Sequence, residues 1–560
     1  MSNGKTGFVP AFAVKTDDGR FLVYDNGRKG PDGRLQVSDN DLQADLSPTS
    51  ENVWTLNLTA KGRSLREIWF PIEPSAEPLG DSLADDVVHF PHLMGLAFDV
   101  DALSETDWQG REYPGPCFAP LAFIADPHEV RMVAAVNWPP RKVRVLYAKG
   151  RLALCYDDPL PTGASRAFSA MIVRSMGDPS AGELPWYAPL DHYRDWLTDH
   201  MRAEGLYPIP YPDWMKTIHG WQNVQLENFQ TRDLDRVAEN WRRFKKEFPW
   251  LQMWGQMSEF HTTPGVKTGC CLDDPTVHSR YTATLPALIK SVTEENSRAG
   301  FYVRPKSPYG LLDKDVAASK PDRDFLFGWI KQNELDHKVN AHYVDVLGAK
   351  NFGAPLTIAR MFGHEIPRES VIERIVDVYP AAALISGCLW GGLECRTAPG
   401  KTPEHLGKDA SCLTFPRFGR YLLNDRIVFL GESNGDHMYW GTTRGHDYFT
   451  ERQVFLLGAK FDAMRLSESE RTPNEMNRAV RMVLDERNRV DWWNRDPVYM
   501  DRRGLTEIPP DIDVRRFRGK GNVDLLVIDN WKLATGRRFL FEGAPVAVPP
   551  KRLHIEVRGR

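Results

Sequence analysis

The sequence predicts a three-part chain. An N-terminal antiparallel β-sandwich covers residues 1–190, a linker 191–213, a central (β/α)8 barrel of the TIM type 214–503, and a small C-terminal β-domain 504–560. Three observations predict it. The first third is a succession of short β-rich runs separated by turn residues. The middle changes to strands alternating with segments of helical spacing. The end returns to β-rich runs. At 560 residues the chain has room for roughly two to four domains.

The sandwich rests on particular stretches. "FAVKTDDGRFLVYDNG" is two apolar runs around an Asp-Asp-Gly turn, the signature of a hairpin. "VWTLNLTAKG", "VRMVAAVNW", "KVRVLYAKGRLALCYDD" and "RAFSAMIVRSM" continue in the same manner. "YAPLDHYRDWLTDHMRAEG" reads as a helix, and the Pro-rich "LYPIPYPDW" as a connection.

In the middle, "KTIHGWQNV" is the first barrel strand. Leu234, Val237, Ala238, Trp241, Phe244 and Phe248 follow at helical spacing, with Thr231 as N-cap. "LQMWGQM" is the second strand. Tyr281, Leu285, Leu288, Ile289 and Val292 mark a helix that Pro286 would interrupt. "GFYVRPK" is the third strand, and Pro321 opens the next helix. "NAHYVDVLGAK" is the fourth. "AALISGC" and "DRIVFLGES" are the fifth and sixth. "HDYFTERQVFLLGAKFDAMRL" is largely helical with a short strand near its end, and "PNEMNRAVRMVLDERNRVDWW" is a further helix. A (β/α)8 barrel fits this order best. A doubly wound sheet is the alternative, but no Gly-rich phosphate loop follows any strand. "GNVDLLVIDNW", "RRFLFEG" and "RLHIEVRG" form the C-terminal β-domain.

Composition excludes several function classes. A net charge of −4 offers no electrostatic case for nucleic acid or an anionic membrane. Seven scattered cysteines make no paired zinc pattern. The N-terminal "MSNGKTGFVPAF" has an apolar run too short for a secretory signal, and no stretch is long enough to span a membrane. A cytoplasmic protein is expected. Seventeen tryptophans suit packing first and flat ligands such as sugars second.

In a barrel the chemistry sits at the C-terminal strand ends. There the first strand offers Trp221, Gln222 and Asn223, the second Trp254, Gln256 and Glu259. The third gives Arg304 and Lys306, and the fourth His342 and Asp345. Cys388, Trp390 and Glu394 follow the fifth, and Glu432, Asn434, Asp436 and His437 the sixth. Carboxylates, indoles and amides, with no Ser nucleophile elbow and no zinc motif, point to acid–base chemistry on a polar, uncharged substrate. Glycoside hydrolysis needs two such carboxyls across the scissile bond. Each acid also has a plainer reading. Asp345 could brace a loop, while Glu259 and Asp436 could be surface carboxylates.

The large β-sandwich, the barrel, the Tyr-x-Asp of "HYVDVLG" and the C-terminal β-domain together resemble the retaining α-glycosidases. These include the α-galactosidases, α-glucosidases and endo-α-N-acetylgalactosaminidases. The resemblance implies that Asp345 is the nucleophile. It implies Glu432 or Asp436 as the acid/base if the chain follows the α-galactosidase branch, and Glu394 if it follows the endo-acting one. The Lys-Trp-Asp motif of many α-galactosidases does not occur here. The expected function is a retaining hydrolase of an α-linked oligosaccharide or glycoside that needs no metal or organic cofactor. Asp345, Glu432 and Glu394 would be its catalytic candidates. Trp221, Asn223, Trp254, Arg304, His342, Trp390, Asp436 and His437 would contact the sugar. The chain would bind oligosaccharide rather than nucleic acid or membrane, and a homo-oligomer is compatible with the architecture. The rivals are a transglycosylase, a non-catalytic carbohydrate-binding barrel, and a lyase or isomerase built on Arg304, Lys306 and His342.

Overall fold

A computed structural model describes residues 10–203 almost throughout, the elements named below between 219 and 462, and residues 473–559 with a short gap. The chain divides into two compact units, Met1–His200 with Glu394–Leu422, and Met201–Leu393 with Leu423–Arg560.

The first unit is built on two antiparallel sheets. The six-stranded sheet runs, in spatial order, Phe21–Tyr24, Ala11–Thr16, Leu65–Ile72, Arg151–Tyr156, Val143–Ala148 and Gln109–Tyr113. The nine-stranded sheet runs Leu413–Thr414, Leu96–Asp99, Val87–Phe90, Leu121–Ala125, Glu129–Ala135, Ser165–Met176, Val53–Ala60, Leu42–Pro48 and Leu35–Ser38. The expected hairpin is present. Phe12 pairs with Tyr24 and Lys15 with Phe21, and Gly19 takes the left-handed conformation (φ +86°) in the turn. Inward-facing Phe12, Val14, Leu56, Leu58, Phe70, Phe90, Tyr147 and Tyr156 form the shared core, while Asn57 between two of them faces solvent.

Strands Leu121–Ala125 and Glu129–Ala135 are buried at every position, so both faces of this sheet are covered. One face meets the sandwich core. Against the other lie the helices Tyr187–Ala203 and Pro416–Leu423. Phe418 meets Phe118 and Phe123 edge-on, each at 5.0 Å, and Tyr421 stacks on Tyr187 at 5.1 Å. The Tyr421 hydroxyl donates to Asp191 at 2.9 Å. Pro416 opens its helix at a position that needs no N–H. Phe418, Tyr421 and Leu422, spaced for one helical face, are buried. These residues fall within the span 214–503 expected to form the barrel. They instead complete the sandwich, because the apolar face of the sheet needs a cover.

At one end of the sandwich Glu73 and Arg131 form a buried ion pair at 2.6 Å. Glu73 also accepts from the Leu152 amide at 2.7 Å, and Arg131 donates to the Gly150 carbonyl at 3.0 Å. The pair joins residues of both sheets.

The second unit contains a five-stranded, all-parallel sheet. Its order is Tyr343–Val344, Arg298–Val303, Met253–Ser258, Gly220–Gln225 and Phe461–Asp462. The first four expected strands and the short one near residue 461 are all here. Of the fourth, expected at "NAHYVDVLGAK", Tyr343–Val344 lie among the described residues. The helix placed at 281–292 begins at Leu285. Pro286 therefore sits in the first turn, where it interrupts nothing. The expected fifth and sixth strands lie outside the described residues. The chain goes on to the helix Pro473–Arg489 and to two antiparallel sheets, of four and three strands. The first of these strands, Val498–Asp501, lies ahead of residue 504, where the C-terminal β-domain was expected to begin. Buried Arg516 is paired with Asp524 at 2.9 Å and with Glu542 at 2.9 Å.

Glu486 ties the 473–489 helix to the strand Leu553–Gly559. It accepts from Arg489 at 2.8 Å, from Lys551 at 3.1 Å and from the Ile555 amide at 3.2 Å, and lies 3.3 Å from His554. Burial raises its pKa, but the hydrogen bonds from His554, Arg489, Lys551 and Ile555 outweigh burial and hold it well below the usual carboxylate range.

Arg131→Met leaves Glu73 buried without its cation, so it should destabilise the first unit by about 3–5 kcal/mol. Urea unfolding of the two proteins checks this, and an unchanged midpoint refutes it. A carboxyl with a depressed folded pKa stabilises above its unfolded pKa, and that gain fades as pH falls toward the folded value. Glu486→Gln should therefore cost about 1–2 kcal/mol at pH 7, allowing for solvent screening. The gap should close as pH falls below about 4. A gap of the same size at pH 3 would contradict the account.

Candidate active site at the parallel sheet

Parallel strands bring all their C-terminal ends to one edge, here Gln225, Ser258, Val303, Val344 and Asp462. Trp221 is in register with Trp254, and Asn223 with Gln256. Alternate positions of a strand share a face, so 221, 223, 254 and 256 are neighbours on one face. Val303 and Val344 are also register partners. Arg304 and Asp345 are the next residues of those two strands in sequence. Arg304, His342, Asp345, Trp390, Glu394, Glu432, Asp436 and His437 all lie outside the described residues.

The opposite end of the sheet is held by a residue that sequence reasoning passed over. His219 precedes the first strand and is buried. Its backbone N–H donates to the Gln252 carbonyl at 2.9 Å, and its Nδ1 accepts from the Gln252 amide at 2.8 Å. The ring stands edge-on to Trp250 at 5.2 Å and to Trp493 at 4.4 Å. Trp493 in turn lies beside the fully buried Arg487, whose guanidinium is 5.6 Å from its ring and 5.3 Å from that of Trp492. "TIHGW" carries no signal for this, since a lone His before a strand is most often a satisfied core residue.

In fold, the chain is similar to an α-N-acetylgalactosaminidase. That enzyme, from Bifidobacterium bifidum, superposes with a TM-score of 0.51 at 10% identity, over 96% of this chain and 94% of its own. A GH36 α-galactosidase from Geobacillus stearothermophilus gives 0.47 at 13% identity over 99% and 90%. An α-galactosidase from Lactobacillus brevis gives 0.48 at 11% over 99% and 88%. No family profile matches the sequence, and no curated protein does either. The likeness is therefore one of fold.

The first unit holds a second polar cluster, and its chemistry is different. Glu67, Cys155 and Asp157 bring three ligand-type atoms within 4.8 Å of one another. Arg144 fills the space between them. Its Nη2 lies 2.8 Å from Asp157, 3.0 Å from the Cys155 sulfur and 3.2 Å from Glu67. The guanidinium is the cation of this cluster and stands where a metal would. Burial, with Asp157 and Glu67 adding to it against Arg144, pushes the Cys155 thiol well up. Burial does the same to Cys117. Nearby indole faces are likewise taken. Arg144 lies 5.9 Å from the Trp69 ring and Arg151 4.8 Å from that of Trp108. Burial also pushes the His89 imidazole down to about 3, helped by Arg417, so it stays neutral beside Phe123.

Thiolate, not thiol, attacks disulfide reagents. Cys117 and Cys155 should resist Ellman's reagent in the native protein and react on unfolding. Peptide mapping of the labelled chain checks this, and rapid native labelling at either position would refute it.

Proposed function

We propose that the chain is a retaining glycoside hydrolase acting on an α-linked galactose or N-acetylgalactosamine. The parallel strands are read as the first four and the last strand of a (β/α)8 barrel. Phe461–Asp462, late in the chain, pairs with the first strand, as a closing strand must. One observation carries the assignment of the nucleophile. The fourth strand, parallel to the third, ends at Val344, immediately before Asp345. An acid there follows a strand end on the edge where barrel enzymes keep their chemistry. The likeness of fold to the Bifidobacterium enzyme supports the sugar class.

In this reading Asp345 attacks the anomeric carbon while Glu432 or Glu394 protonates the departing glycosidic oxygen. The bond from carbon to that oxygen breaks as the bond to the Asp345 carboxylate forms. The same glutamate, now a carboxylate, takes a proton from water, which displaces Asp345 and restores the original configuration. The two carboxyls would stand about 5–5.5 Å apart. Trp221, Trp254 and Trp390 would stack on sugar faces. Asn223, Arg304, His342, Asp436 and His437 would bond to hydroxyl or acetamido groups.

The test is Asp345→Asn on aryl α-N-acetylgalactosaminide and aryl α-galactoside. Turnover should fall about a thousandfold or more with the fold intact. Added azide should restore release of the aryl group and yield a β-glycosyl azide. The wild-type protein should release the α-anomer first, as seen by NMR. Undiminished turnover in the variant would end the nucleophile assignment, and a β-anomer product would end the retaining one.

A further inference from the structure

The first and second parallel strands are joined by residues 226–252. A hairpin turn sets the register of an antiparallel pair, but a crossover of this length does not. Register matters here, because a slip of one residue would turn Trp221 and Asn223 to the other face. Something outside the connection must choose.

We infer that His219 is the positioning residue that fixes this register, and with it the face that Trp221, Asn223 and Trp254 share. Residues 219 and 252 bond twice. The backbone N–H of His219 reaches the Gln252 carbonyl, and the Gln252 amide reaches His219 Nδ1 at 2.8 Å. The second bond ties residues 219 and 252, the positions just ahead of the pair Gly220 with Met253. In it the imidazole stands in for a backbone carbonyl at the very start of the ladder. Because Nδ1 accepts, the ring is neutral with its proton on Nε2. Trp250 and Trp493 hold the ring edge-on from two sides and stop it swinging away. Trp493 is braced by Arg487. From this pin the ladder runs Gly220 with Met253, Trp221 with Trp254 and Asn223 with Gln256. The effect on turnover rests on the glycosidase reading; the effect on the strand pair does not.

Two variants of the full chain separate the acceptor from the ring. His219→Phe keeps an aromatic wedge and loses the acceptor. His219→Asn keeps an acceptor near the Nδ1 position and loses the ring. Hydrogen exchange of the peptide over 252–258 should speed up about tenfold in His219→Phe and stay within about twofold of wild type in His219→Asn. On aryl α-N-acetylgalactosaminide, His219→Phe should raise KM about tenfold with a smaller change in kcat, and His219→Asn should return KM toward wild type. Unchanged exchange and KM in His219→Phe would overturn the inference. So would His219→Asn exchanging as fast as His219→Phe, which would assign the role to ring packing. If His219→Phe does not fold, His219→Asn decides alone, and loss of protection in it overturns the pin. A wild-type chain that cleaves no α-glycoside would sink the glycosidase reading and leave the exchange result to judge the pin.

Discussion

The nine-stranded sheet has two apolar faces, and that constraint governs the first unit. Its central strands cannot leave either face in water without exposing a large contiguous apolar patch. The six-stranded sheet covers one face. The other is covered by aromatic side chains of two helices, and one of these helices comes from residues 416–423, far along the chain. The strand Leu413–Thr414 enters by pairing with Leu96 and Ala97, which fixes where the helix begins. The sandwich is therefore discontinuous in sequence. A cut at residue 190 would leave it without the edge strand 413–414, without the 416–423 helix and without most of the 187–203 helix.

The buried charges show a common principle. A charge taken out of water needs a partner at hydrogen-bond distance or it changes its protonation state. Glu73 has Arg131, and Arg516 has Asp524 and Glu542. Glu67, Cys155 and Asp157 surround Arg144. Burial and the nearby Arg417 guanidinium keep His89 neutral. Each of these groups is committed to holding strands or sheets together. A group that attacks or protonates a substrate must instead end in a space that substrate can enter. This favours the C-terminal edge of the parallel sheet over any of these clusters as the seat of chemistry.

Local patterns were legible in the sequence wherever the physics is local. The Asp17-Asp18-Gly19 turn needs a left-handed glycine, and its neighbours alternate as strands do. The apolar runs at 220–225, 253–258 and 298–303 are strands, and the short one at 461–462 was visible within a mostly helical segment. What escaped was tertiary. "TFPRFGRYLL" has a good helix start and a good apolar stripe, but nothing in it names the sheet it covers. His219 looked like any histidine before a strand, because its partners at 250, 252 and 493 are remote. Pro286 sits in the first turn of the described helix Leu285–Thr293, where it removes no hydrogen bond. At the candidate site the strand positions of Trp221, Asn223 and Trp254 could be read ahead, while the pairing of Trp221 with Trp254 could not. Register between parallel strands is written in contacts, not in either strand alone.

Two tryptophans, thirty-odd residues apart in sequence, become adjacent only if two strands align to the residue. In an antiparallel sheet a short turn enforces the alignment. In a parallel sheet it must come from side chains, and the ends of the strands are where they can act without disturbing the ladder. His219, with Trp250 and Trp493 around it, sits at the N-terminal end, and the residues proposed to meet substrate follow toward the C-terminal one. The division of labour along each strand thus follows from the geometry of parallel pairing.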